Sequence, residues 1–479
     1  MAAARIEPVR IERDFLGALE LPKDALYGIQ SARARDNFAL NYRPVNPRLL
    51  DALLTVKKAA ALVWGELSPG EARKFDAVAR ACDALSAELR AAAEARAAGK
   101  DVFIVDALAG GAGTSVNMNI NEAVANRALL LLGKEPGDYA ALHPLDDVNR
   151  AQSTNDVYPT ALRIASILLI RDLAASCAAL QEALQQKENE FDGIAKLGRT
   201  ELMDAVPVTL GSEFGAWAQA IGRDRWRLYK AEERLRQVNI GGAAVGLVPA
   251  RESRSRALHQ RYAAAIIERL RSLSGIGLAA AEYPMDITQN NDVFVEVSGL
   301  FKALSANILK IAGDVRLMGS GPAGGIGELR LAALQAGSTI MPGKVNPVIP
   351  EMAMQAAMRV QANDLAVTLA ASRGEFELNA FLPLIADAFL ESLSLLCRAC
   401  ELLREKCILT LEADEARCAA HLDSSLAFAA SYIAALGYDE VARIAALHRA
   451  AGAAAVRAAL EARLAAMPQT KEAKQTSSP

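Results

Sequence analysis

Residues 297–318 read VSGLFKALSANILKIAGDVRLM. This segment decides the fold class of the chain. Its apolar side chains recur at alternating spacings of four and three, at Val297, Phe301, Leu304, Ile308, Ile311, Val315 and Met318. Such a period keeps all of them on one stripe of a helix, which is the pattern of helices that pack in a bundle. The segment therefore predicts one long helix of a helical bundle.

The composition favours helices along the whole chain. Hydrophobic residues make up 52% of the 479 residues and aromatic residues only 5%, so alanine and leucine carry most of the apolar content. Both residues favour helices over sheets. Further long helical stretches are predicted within residues 156–191 and 363–407. We therefore predict an all-α fold with a central bundle of long helices.

The length predicts more than one domain, because single cores stop growing at roughly 250 to 300 residues. Residues 1–142 combine a polar, extended arm with helices and are predicted to form a first, mixed domain. The long helices predict a central bundle domain over 143–400, and shorter helices predict a small C-terminal domain over 401–467. The polar tail at 468–479 is predicted to be disordered.

The charge and cysteine content of the chain limit the partners and the cellular location that we expect. The chain has 53 Lys and Arg residues against 56 Asp and Glu residues, a net charge of -3, so nucleic acid is not an expected partner. No apolar run of membrane-spanning length is free of charges, and no membrane contact is expected. Scattered cysteines without a secretory leader predict a reduced, cytoplasmic protein. Cys397 and Cys400 have the spacing of a redox or zinc pair, but their apolar helix stripe favours core packing.

Residues 337–351 read GSTIMPGKVNPVIPE and are the strongest candidate for catalysis. Two hydroxyls, an ammonium and an amide stand on one loop that glycine and proline interrupt, at Ser338, Thr339, Lys344 and Asn346. These groups can bind a carboxylate, and they predict a mobile catalytic loop. For this segment alone, a polar turn before Pro342 would be the simpler interpretation.

Three further segments share this hydroxyl-rich character. They read GGAGTSVNMNINEAVANRAL from Gly110, QSTNDVYPTALRIA from Gln152 and GRTELMDAVPVTLG from Gly198. Each is predicted to lie where a loop enters a helix, so that hydroxyls and helix N-terminal N–H groups could bind two carboxylates together. The hydroxyls belong to Thr114, Ser153, Thr154 and Thr200. Each segment alone is also explained by helix capping.

Together the segments resemble the signature regions of the aspartase/fumarase superfamily, which look like GGAGTSVNMN, GRTELMDAVP and GSTIMPGKVNP of this chain. The resemblance runs from about Arg5 to about Gly437. The opening RIERDFLGALELPKDALYGIQ and the run KVNPVIPE are more similar to the aspartate ammonia-lyase branch than to the fumarase branch. The resemblance implies a three-domain helical fold, a homotetramer, active sites built from three subunits, and neither cofactor nor metal.

The resemblance also implies an anti elimination of ammonia or an amine from aspartate or a substituted aspartate. Ser338 would be the general base that takes a proton from the carbon next to one carboxylate and gives an enediolate. Positions around that carboxylate match Thr114, Ser153, Thr154 and Thr339. Positions that bind the second carboxylate match Lys344 and Asn346, and those near the leaving amine match Asn155 and Thr200.

The chain departs from the family at two histidines. Glu201 stands after Thr200 where the family has one, and Asp147 replaces another, with Arg150 close by in place of an apolar residue. A carboxylate beside a dicarboxylate costs energy unless a cation lies between them, so Glu201 predicts a substrate with a cationic or donor-rich group. The open alternatives are a surface role for Glu201, a C–O lyase acting on a malate-like substrate, and a catalytically silent homologue.

Overall fold

The computed structural model describes residues 8–94, 102–247 and 253–467. The helices in these ranges are α1 (Ile29–Asn37), α2 (Pro47–Leu67), α3 (Ala72–Glu94), α4 (Thr114–Leu131), α5 (Thr154–Glu190), α6 (Leu210–Leu235), α7 (Ser253–Ser274), α8 (Pro284–Gln289), α9 (Asp292–Met318), α10 (Val348–Ala371), α11 (Leu382–Leu403), α12 (Glu415–Ser424), α13 (Ile433–Leu436), α14 (Tyr438–His448) and α15 (Ala453–Ala465). Short 3-10 helices cover Pro69–Glu71, Ala427–Tyr432 and Arg449–Ala451, and π-helical turns cover Pro144–Val148 and Arg404–Ile408.

The strands are short and pair two by two. They are β1 (Val9–Asp14), β2 (Gly17–Pro22), β3 (Ala195–Thr200), β4 (Met203–Thr209), β5 (Gln237–Val238), β6 (Ala279–Ala280), β7 (Leu329–Arg330) and β8 (Glu412–Ala413). Three of the pairs, β1–β2, β3–β4 and β7–β8, are antiparallel, and β5–β6 is parallel. Helices thus dominate the described chain, and the prediction of an all-α fold is confirmed.

The helix predicted from residues 297–318 is α9. All seven residues of its apolar stripe are buried, and none is more than 6% exposed. The stripe predicted beside Cys397 is buried as well, at Phe389, Leu393, Leu396, Cys400, Leu403 and Cys407. All six cysteines of the chain are buried thiols. The apolar period therefore located the core-facing side of these helices correctly.

Backbone contacts divide the chain into two compact units. Unit 1 consists of Met1–Cys177, Asp224–Ala306 and Gln355–Ala399, and unit 2 consists of Ala178–Arg223, Asn307–Met354 and Cys400–Pro479. Each unit is thus assembled from three separate stretches of chain. The domain bounds at 142 and 400 remain a prediction from the sequence, and the predicted disordered tail at 468–479 lies outside the described residues.

The core of unit 1 is built by packing of α2 against α3, α4 and α7. Trp64 of α2 stacks on Tyr262 of α7 with ring centroids 5.2 Å apart. On α4, the buried carboxylate of Glu122 accepts hydrogen bonds from the N–H groups of Gly28 at 2.8 Å and Ser31 at 3.1 Å. Those N–H groups have no partner inside α1, because a helix leaves its first donors unpaired. Glu122 therefore fastens the N-terminus of α1 to α4.

Unit 2 combines a β-hairpin with short helices. The hairpin β3–β4 packs against α12. The ring of Phe214 contacts Phe191 and Trp217 at centroid distances of 5.3 and 4.7 Å. Near the C-terminus a separate apolar cluster consists of Phe428, Ala429, Val441, Ile444, Val456 and Leu460. The packing against α12 fixes the hairpin, which carries one of the candidate site segments.

Helix α5 is the one helix of the described residues that is long and apolar enough to cross a membrane by length and composition. Its most apolar stretch is 56% buried inside the protein, and core helices of this length meet the same criterion. The expectations of no membrane contact and of a cytoplasmic location remain predictions from the sequence.

Candidate active site

Thr114 lies at the first residue of α4, as the sequence predicts. The turn before it depends on Gly113, whose φ is +92°. A Cβ atom at this glycine would lie 2.5 Å from the ring of Tyr158 on α5. Only glycine combines this backbone conformation with such a close approach. The side chain of Thr114 is exposed and available to a ligand.

Ser153 caps α5. Its hydroxyl oxygen accepts a hydrogen bond from the N–H of Asn155 at 3.2 Å, and its own N–H donates to Oδ1 of Asp156 at 3.0 Å. This is a capping arrangement, so the capping interpretation of the segment is correct. Capping uses the oxygen of Ser153 as an acceptor, and its proton stays available as a donor.

Asp156 joins this helix start to a second loop of unit 1. Its other oxygen accepts hydrogen bonds from the N–H groups of Gly241 at 3.1 Å and Ala243 at 3.0 Å. Asn155 adds a hydrogen bond from Nδ2 to the oxygen of Ala244 at 2.8 Å. Burial raises the pKa of the Asp156 carboxyl to about 7, and the three N–H donors oppose that shift. The loop at 241–244 is thereby held against Asn155.

Thr154 is buried, with 8% of its surface exposed. Its hydroxyl oxygen accepts a hydrogen bond from Nδ2 of Asn117 at 3.0 Å. Asn117 stands one turn after Thr114 on α4, so this bond brings the starts of α4 and α5 together. The predicted group of Thr114, Ser153, Thr154 and Asn155 thus lies within one region of unit 1.

The loop that contains Ser338 belongs to unit 2 and is closed at its neck. The N–H of Gly337 donates to the oxygen of Lys344 at 2.8 Å, and Nδ2 of Asn346 donates to the oxygen of Gly337 at 2.8 Å. A Cβ atom at Gly337 would lie 2.6 Å from that Lys344 oxygen. The neck therefore requires glycine, and Asn346 has a structural role besides any contact with substrate.

Inside this loop the Ser338 oxygen is an acceptor. The N–H groups of Ile340 and Met341 donate to it at 3.2 and 2.9 Å. Ser338 is half-buried, whereas Thr339 and Lys344 are exposed. Hydrogen bonds donated to a hydroxyl oxygen favour its deprotonated form. The hydrogen bonds from Ile340 and Met341 are those of a polar turn, and the same bonds are compatible with a catalytic role for Ser338.

Thr200 and Glu201 do not lie at a loop that enters a helix, so that expectation is wrong for the third segment. Thr200 is the last residue of β3 and pairs with Met203 across a two-residue hairpin turn. Glu201 and Leu202 form the turn with φ values of +53° and +63°, as a type I′ turn requires. The β-branched and apolar residues of β3 and β4 favour strands over the predicted helix start. Glu201 is exposed at the hairpin tip, and no cation of the described residues pairs with it.

Arg199, which precedes Thr200, is held by a buried carboxylate. Glu328 is fully buried and accepts hydrogen bonds from two guanidinium nitrogens of Arg199 at 3.0 and 2.8 Å. Lys196 Nζ lies 2.9 Å from the same carboxylate, and Nδ1 of His421 lies 2.9 Å from it. Burial alone would raise the pKa of Glu328, but the hydrogen bonds from Arg199, His421 and Lys196 hold it at about 2. His421, which lies outside the signature segments, thus contacts the same carboxylate that binds Arg199 of the GRT segment.

Asp147 and Arg150, the two residues before QSTND that differ from the family pattern, belong to one ion-pair cluster in unit 1. Asp147 is buried and accepts hydrogen bonds from Lys74 at 3.0 Å and Arg150 at 3.0 Å. Arg150 also donates to both oxygens of Glu71 at 2.7 and 3.1 Å and lies over the ring of Phe75, 4.9 Å from its centroid. Asp147 and Arg150 therefore compensate one another, and their role in the described structure is to anchor the π-helical turn.

Sequence reasoning missed Lys57, Asn117 and Asp156, which are all buried beside the start of α5. A lysine inside the apolar run LLTVKKAAALVW was the available signal for Lys57, and Asn117 lies within the quoted segment from Gly110. In unit 2, no hydrogen bond or ion pair between described residues joins the hairpin tip to the Ser338 loop. The roles assigned to the individual site residues remain predictions.

Comparison with known proteins decides the family. The sequence profile of a family described as Lyase matches residues 17–362. The aspartate ammonia-lyase of Pseudomonas fluorescens is 44% identical over 439 residues, which cover 91% of this chain and 88% of that protein. The chain belongs to the aspartase/fumarase superfamily. The resemblance drawn from the motifs, including its similarity to aspartate ammonia-lyase, is confirmed.

Other superfamily members agree with this assignment. The aspartate ammonia-lyase of Bacillus subtilis (strain 168) is 39% identical over 438 residues, or 91% of this chain and 88% of that protein. The solved fumarate lyase:delta crystallin of Brucella melitensis, in native form, matches with a TM-score of 0.85 and 42% identity over 94% of this chain and 100% of that one. A class II fumarase from Schistosoma mansoni matches with a TM-score of 0.82 and 26% identity over 95% of this chain and 96% of that one. The superfamily fold therefore covers nearly all of the chain.

For this superfamily member we predict that Glu328→Gln destabilises the fold. Breaking a buried ion pair should lower the free energy of unfolding at neutral pH by about 3 to 5 kcal/mol. Because the folded pKa of Glu328 is depressed, its contribution is present above the ordinary value of 4.5 and is lost as the pH falls toward about 2. The difference between variant and wild type should therefore shrink over that window, as measured by urea unfolding at a series of pH values.

Glu88→Gln is the matched control. Glu88 also accepts two hydrogen bonds from one arginine, Arg127, both at 2.7 Å, but its side chain is 52% exposed. An exposed pair of this kind contributes less than about 1 kcal/mol. Equal destabilisation by the two variants, or a Glu328→Gln effect that does not change with pH, would contradict the prediction.

Proposed function

We propose that the chain is a C–N lyase that removes ammonia or an amine from aspartate or a substituted aspartate and gives fumarate, reversibly. The names of its relatives support the ammonia-lyase reaction. The observation that carries the proposal is the closed Ser338 loop, in which two backbone N–H groups donate to the serine oxygen. A serine hydroxyl is a weak base at neutral pH and needs such donors to act.

In the proposed reaction the deprotonated oxygen of Ser338 takes the proton from the carbon next to one carboxylate and becomes a neutral hydroxyl. The electron pair of that C–H bond moves into the carboxylate and gives an enediolate. This electron pair then returns to form the carbon–carbon double bond. At the same time the carbon–nitrogen bond breaks on the opposite face, and the amine leaves with the electrons of that bond. The substrate itself accepts the charge, so the proposed chemistry uses no cofactor and no metal.

The other candidate residues stabilise charge in this proposal. Hydroxyl donors aimed at the developing negative charge lower the barrier by several kcal/mol at comparable sites. Those around the enediolate are Thr114, Ser153, Thr154 and Thr339. Lys344 and Asn346 bind the second carboxylate, and Asn155 and Thr200 lie near the amine. Lys344 has no ion-pair partner among the described residues, which leaves its charge available to an anion.

We predict that Ser338→Ala lowers kcat with L-aspartate about 10²- to 10⁴-fold, the usual effect of losing a general base. Fumarate formation can be followed by its absorbance at roughly 240 nm. L-aspartate, malate and N-substituted aspartates are offered in turn as substrates. Ser372→Ala, at an exposed serine after α10, is the control and should keep wild-type turnover. Full turnover by Ser338→Ala would contradict the mechanism. Turnover of malate alone would favour the C–O lyase, and no turnover of any substrate would favour a silent homologue.

We further propose that Glu201 selects a substrate with a cationic or donor-rich group. Its support is the exposed position of this carboxylate at a hairpin tip, without a cation of the described residues to neutralise it. An anionic substrate would meet an uncompensated charge there, whereas a protonated amine would offset it. Plain aspartate offers only its own ammonium, so an N-substituted aspartate with an additional donor-rich group fits this position better.

We predict that Glu201→Gln and Glu201→His shift the ratio of kcat/KM toward plain L-aspartate by about tenfold relative to a donor-rich N-substituted aspartate. The matched control is Asp204→Asn, which removes another exposed carboxylate of the same hairpin. If Asp204→Asn shifts the ratio equally, or if neither Glu201 variant changes it, Glu201 is a surface residue without a part in specificity.

We also propose a homotetramer whose active sites are shared between subunits. An exposed apolar face on α10 supports it. Along this face Met358, Leu365 and Leu369 are 52, 59 and 58% exposed. Their spacing is that of a helix that packs against another helix. A second copy of this chain is the proposed cover for that face.

We predict a solution mass of about four times the chain mass of 50.9 kDa by sedimentation equilibrium. Leu365→Glu should lower this mass, because it places a charge in the proposed interface. Leu447→Glu, at a leucine of α14 that is 68% exposed, should not change the mass. A monomeric wild-type protein, or a tetramer that Leu365→Glu leaves intact, would contradict the assignment of this face.

A further inference from the structure

A chain of polar side chains crosses the apolar interior of unit 1 from α2 to the first turn of α5. It starts at Lys57, which is fully buried. Its Nζ donates to Oδ1 of Asn149 at 2.8 Å and to Oε1 of Gln152 at 2.9 Å. Nδ2 of Asn117 donates to the same Asn149 oxygen at 3.3 Å and to the hydroxyl oxygen of Thr154 at 3.0 Å. Two amides thus link a buried amine to a candidate substrate-binding hydroxyl.

Lys57 fixes the direction of the hydrogen bonds in this chain. A lysine ammonium only donates, so Asn149 must present its carbonyl oxygen to it. This orientation places the amide nitrogen of Asn149 3.2 Å from the main-chain oxygen of Gln152. Because the Asn149 oxygen accepts, Asn117 must turn its NH2 group toward it, since two carbonyl oxygens would repel. The oxygen and nitrogen of an amide have nearly the same shape, so shape alone does not orient Asn149 and Asn117. Their orientation follows from the hydrogen bond that Lys57 donates.

The protonation state of Lys57 does not change this direction. Burial lowers its pKa to about 7, and the nearby Asp156 and Cys82 act in the opposite sense. A neutral amine keeps two N–H groups, which is the number that the oxygens of Asn149 and Gln152 need. The order of donors and acceptors can persist on both sides of neutral pH.

The last link of the chain sets the role of the Thr154 hydroxyl. Its oxygen already accepts from Asn117, so its own proton points elsewhere. No residue in the described ranges accepts that proton. Thr154 is also the first residue of α5, where the helix N-terminus attracts negative charge. The hydroxyl is therefore a donor oriented in advance for an anionic oxygen.

We propose that Lys57 and Asn117 are positioning residues that hold the Thr154 hydroxyl as a hydrogen-bond donor toward a carboxylate of the substrate. Neither residue touches the substrate in this arrangement. The inference rests on the proposed function for the identity of that carboxylate. A purely structural role of the chain, which would only join α2, α4 and α5, makes a different prediction for variants that reverse one link.

Asn117→Asp tests the direction of the last link. It exchanges the donating NH2 group for an acceptor of the same shape, which removes the bond to Asn149 as well as the bond to Thr154. The Thr154 hydroxyl then turns inward to donate to the new oxygen and presents lone pairs to the ligand. Hydrogen bonds to charged groups contribute enough that we expect kcat/KM with L-aspartate to fall about 10- to 100-fold. Affinity for succinate, a dicarboxylate without an amine, should fall by a similar factor in titration calorimetry.

Asn149→Asp makes the same chemical change one link earlier. The oxygen that accepts from Lys57 and Asn117 is kept, so the direction at Thr154 is unchanged. We expect a loss of less than about threefold in both measurements, since no bond to the hydroxyl is altered. A structural role would make the two variants equally harmful, because both place a carboxylate inside the same buried chain.

The Thr154→Val background separates direction from charge. Without the hydroxyl, Asn117→Asp should cause no further loss of succinate affinity if it acts through Thr154. Simple repulsion between the new carboxylate and the ligand would persist in the double variant. If Asn117→Asp does not fold, as thermal unfolding would reveal, Asn117→Ala replaces it with an expected loss of about three- to tenfold from a freely rotating hydroxyl, again absent in the Thr154→Val background.

The inference is overturned by equal losses in Asn117→Asp and Asn149→Asp, by a loss that persists in Thr154→Val, or by a wild-type protein that does not bind succinate. It can fail separately from the proposed function. Succinate binding that depends on Asn117 in the expected way, with no turnover of any aspartate, would uphold the positioning and contradict the lyase reaction. Turnover of aspartate that Asn117→Asp leaves unchanged would do the reverse.

Discussion

A buried carboxylate must be paired with donors, and each unit of this chain uses one to hold a segment of the candidate site. In unit 1, Asp156 accepts three backbone N–H groups and so ties the start of α5 to the loop at 241–243. In unit 2, Glu328 binds Arg199 and Lys196 of strand β3, which ends at Thr200, together with His421. Leaving either charge unpaired in the interior would cost several kcal/mol, so the donors around it cannot move independently. The placement of the segments that carry Ser153, Thr154 and Thr200 depends on this constraint.

Three of the candidate hydroxyls, two in unit 1 and one in unit 2, accept hydrogen bonds from neighbouring groups of the protein. The oxygens of Ser153 and Ser338 accept from backbone N–H groups of their own turns, and the oxygen of Thr154 accepts from a side-chain amide. For Ser153 and Thr154 this leaves the hydroxyl proton available to a ligand, whereas for Ser338 the accepted hydrogen bonds stabilise the deprotonated oxygen that the proposed reaction requires. Helix capping and turn formation, which explain these residues without any function, are therefore compatible with the roles proposed for them. The structural and functional interpretations do not exclude one another here.

The sequence was sufficient for the features that local pattern determines. The apolar period at 297–318 predicted α9 and its buried side, and the glycines and hydroxyls predicted the loop at 337–346 and the starts of α4 and α5. It was not sufficient for Thr200, because the helix-start residues of that segment belong to a hairpin whose partner strand decides the conformation. Lys57 and Asn149 lie 92 residues apart, and no local pattern reports a contact at that separation. Asp147 and Arg150 looked like losses from the family pattern, and only their shared cluster with Glu71 and Lys74 reveals the compensation.

The proposed role of Glu201 in specificity has a consequence for how substrate range can change over time. Glu201 and Leu202 adopt their left-handed backbone as the turn of a strand pair, and their side chains extend into solvent away from the apolar interior. Exchange of the side chain at 201 therefore alters the chemistry at the tip while the scaffold beneath keeps its packing. A position of this kind can drift from imidazole to carboxylate through single mutations that the fold tolerates. On that proposal selectivity resides in a side chain outside the core, and a change of specificity at this position leaves the packing of the interior intact.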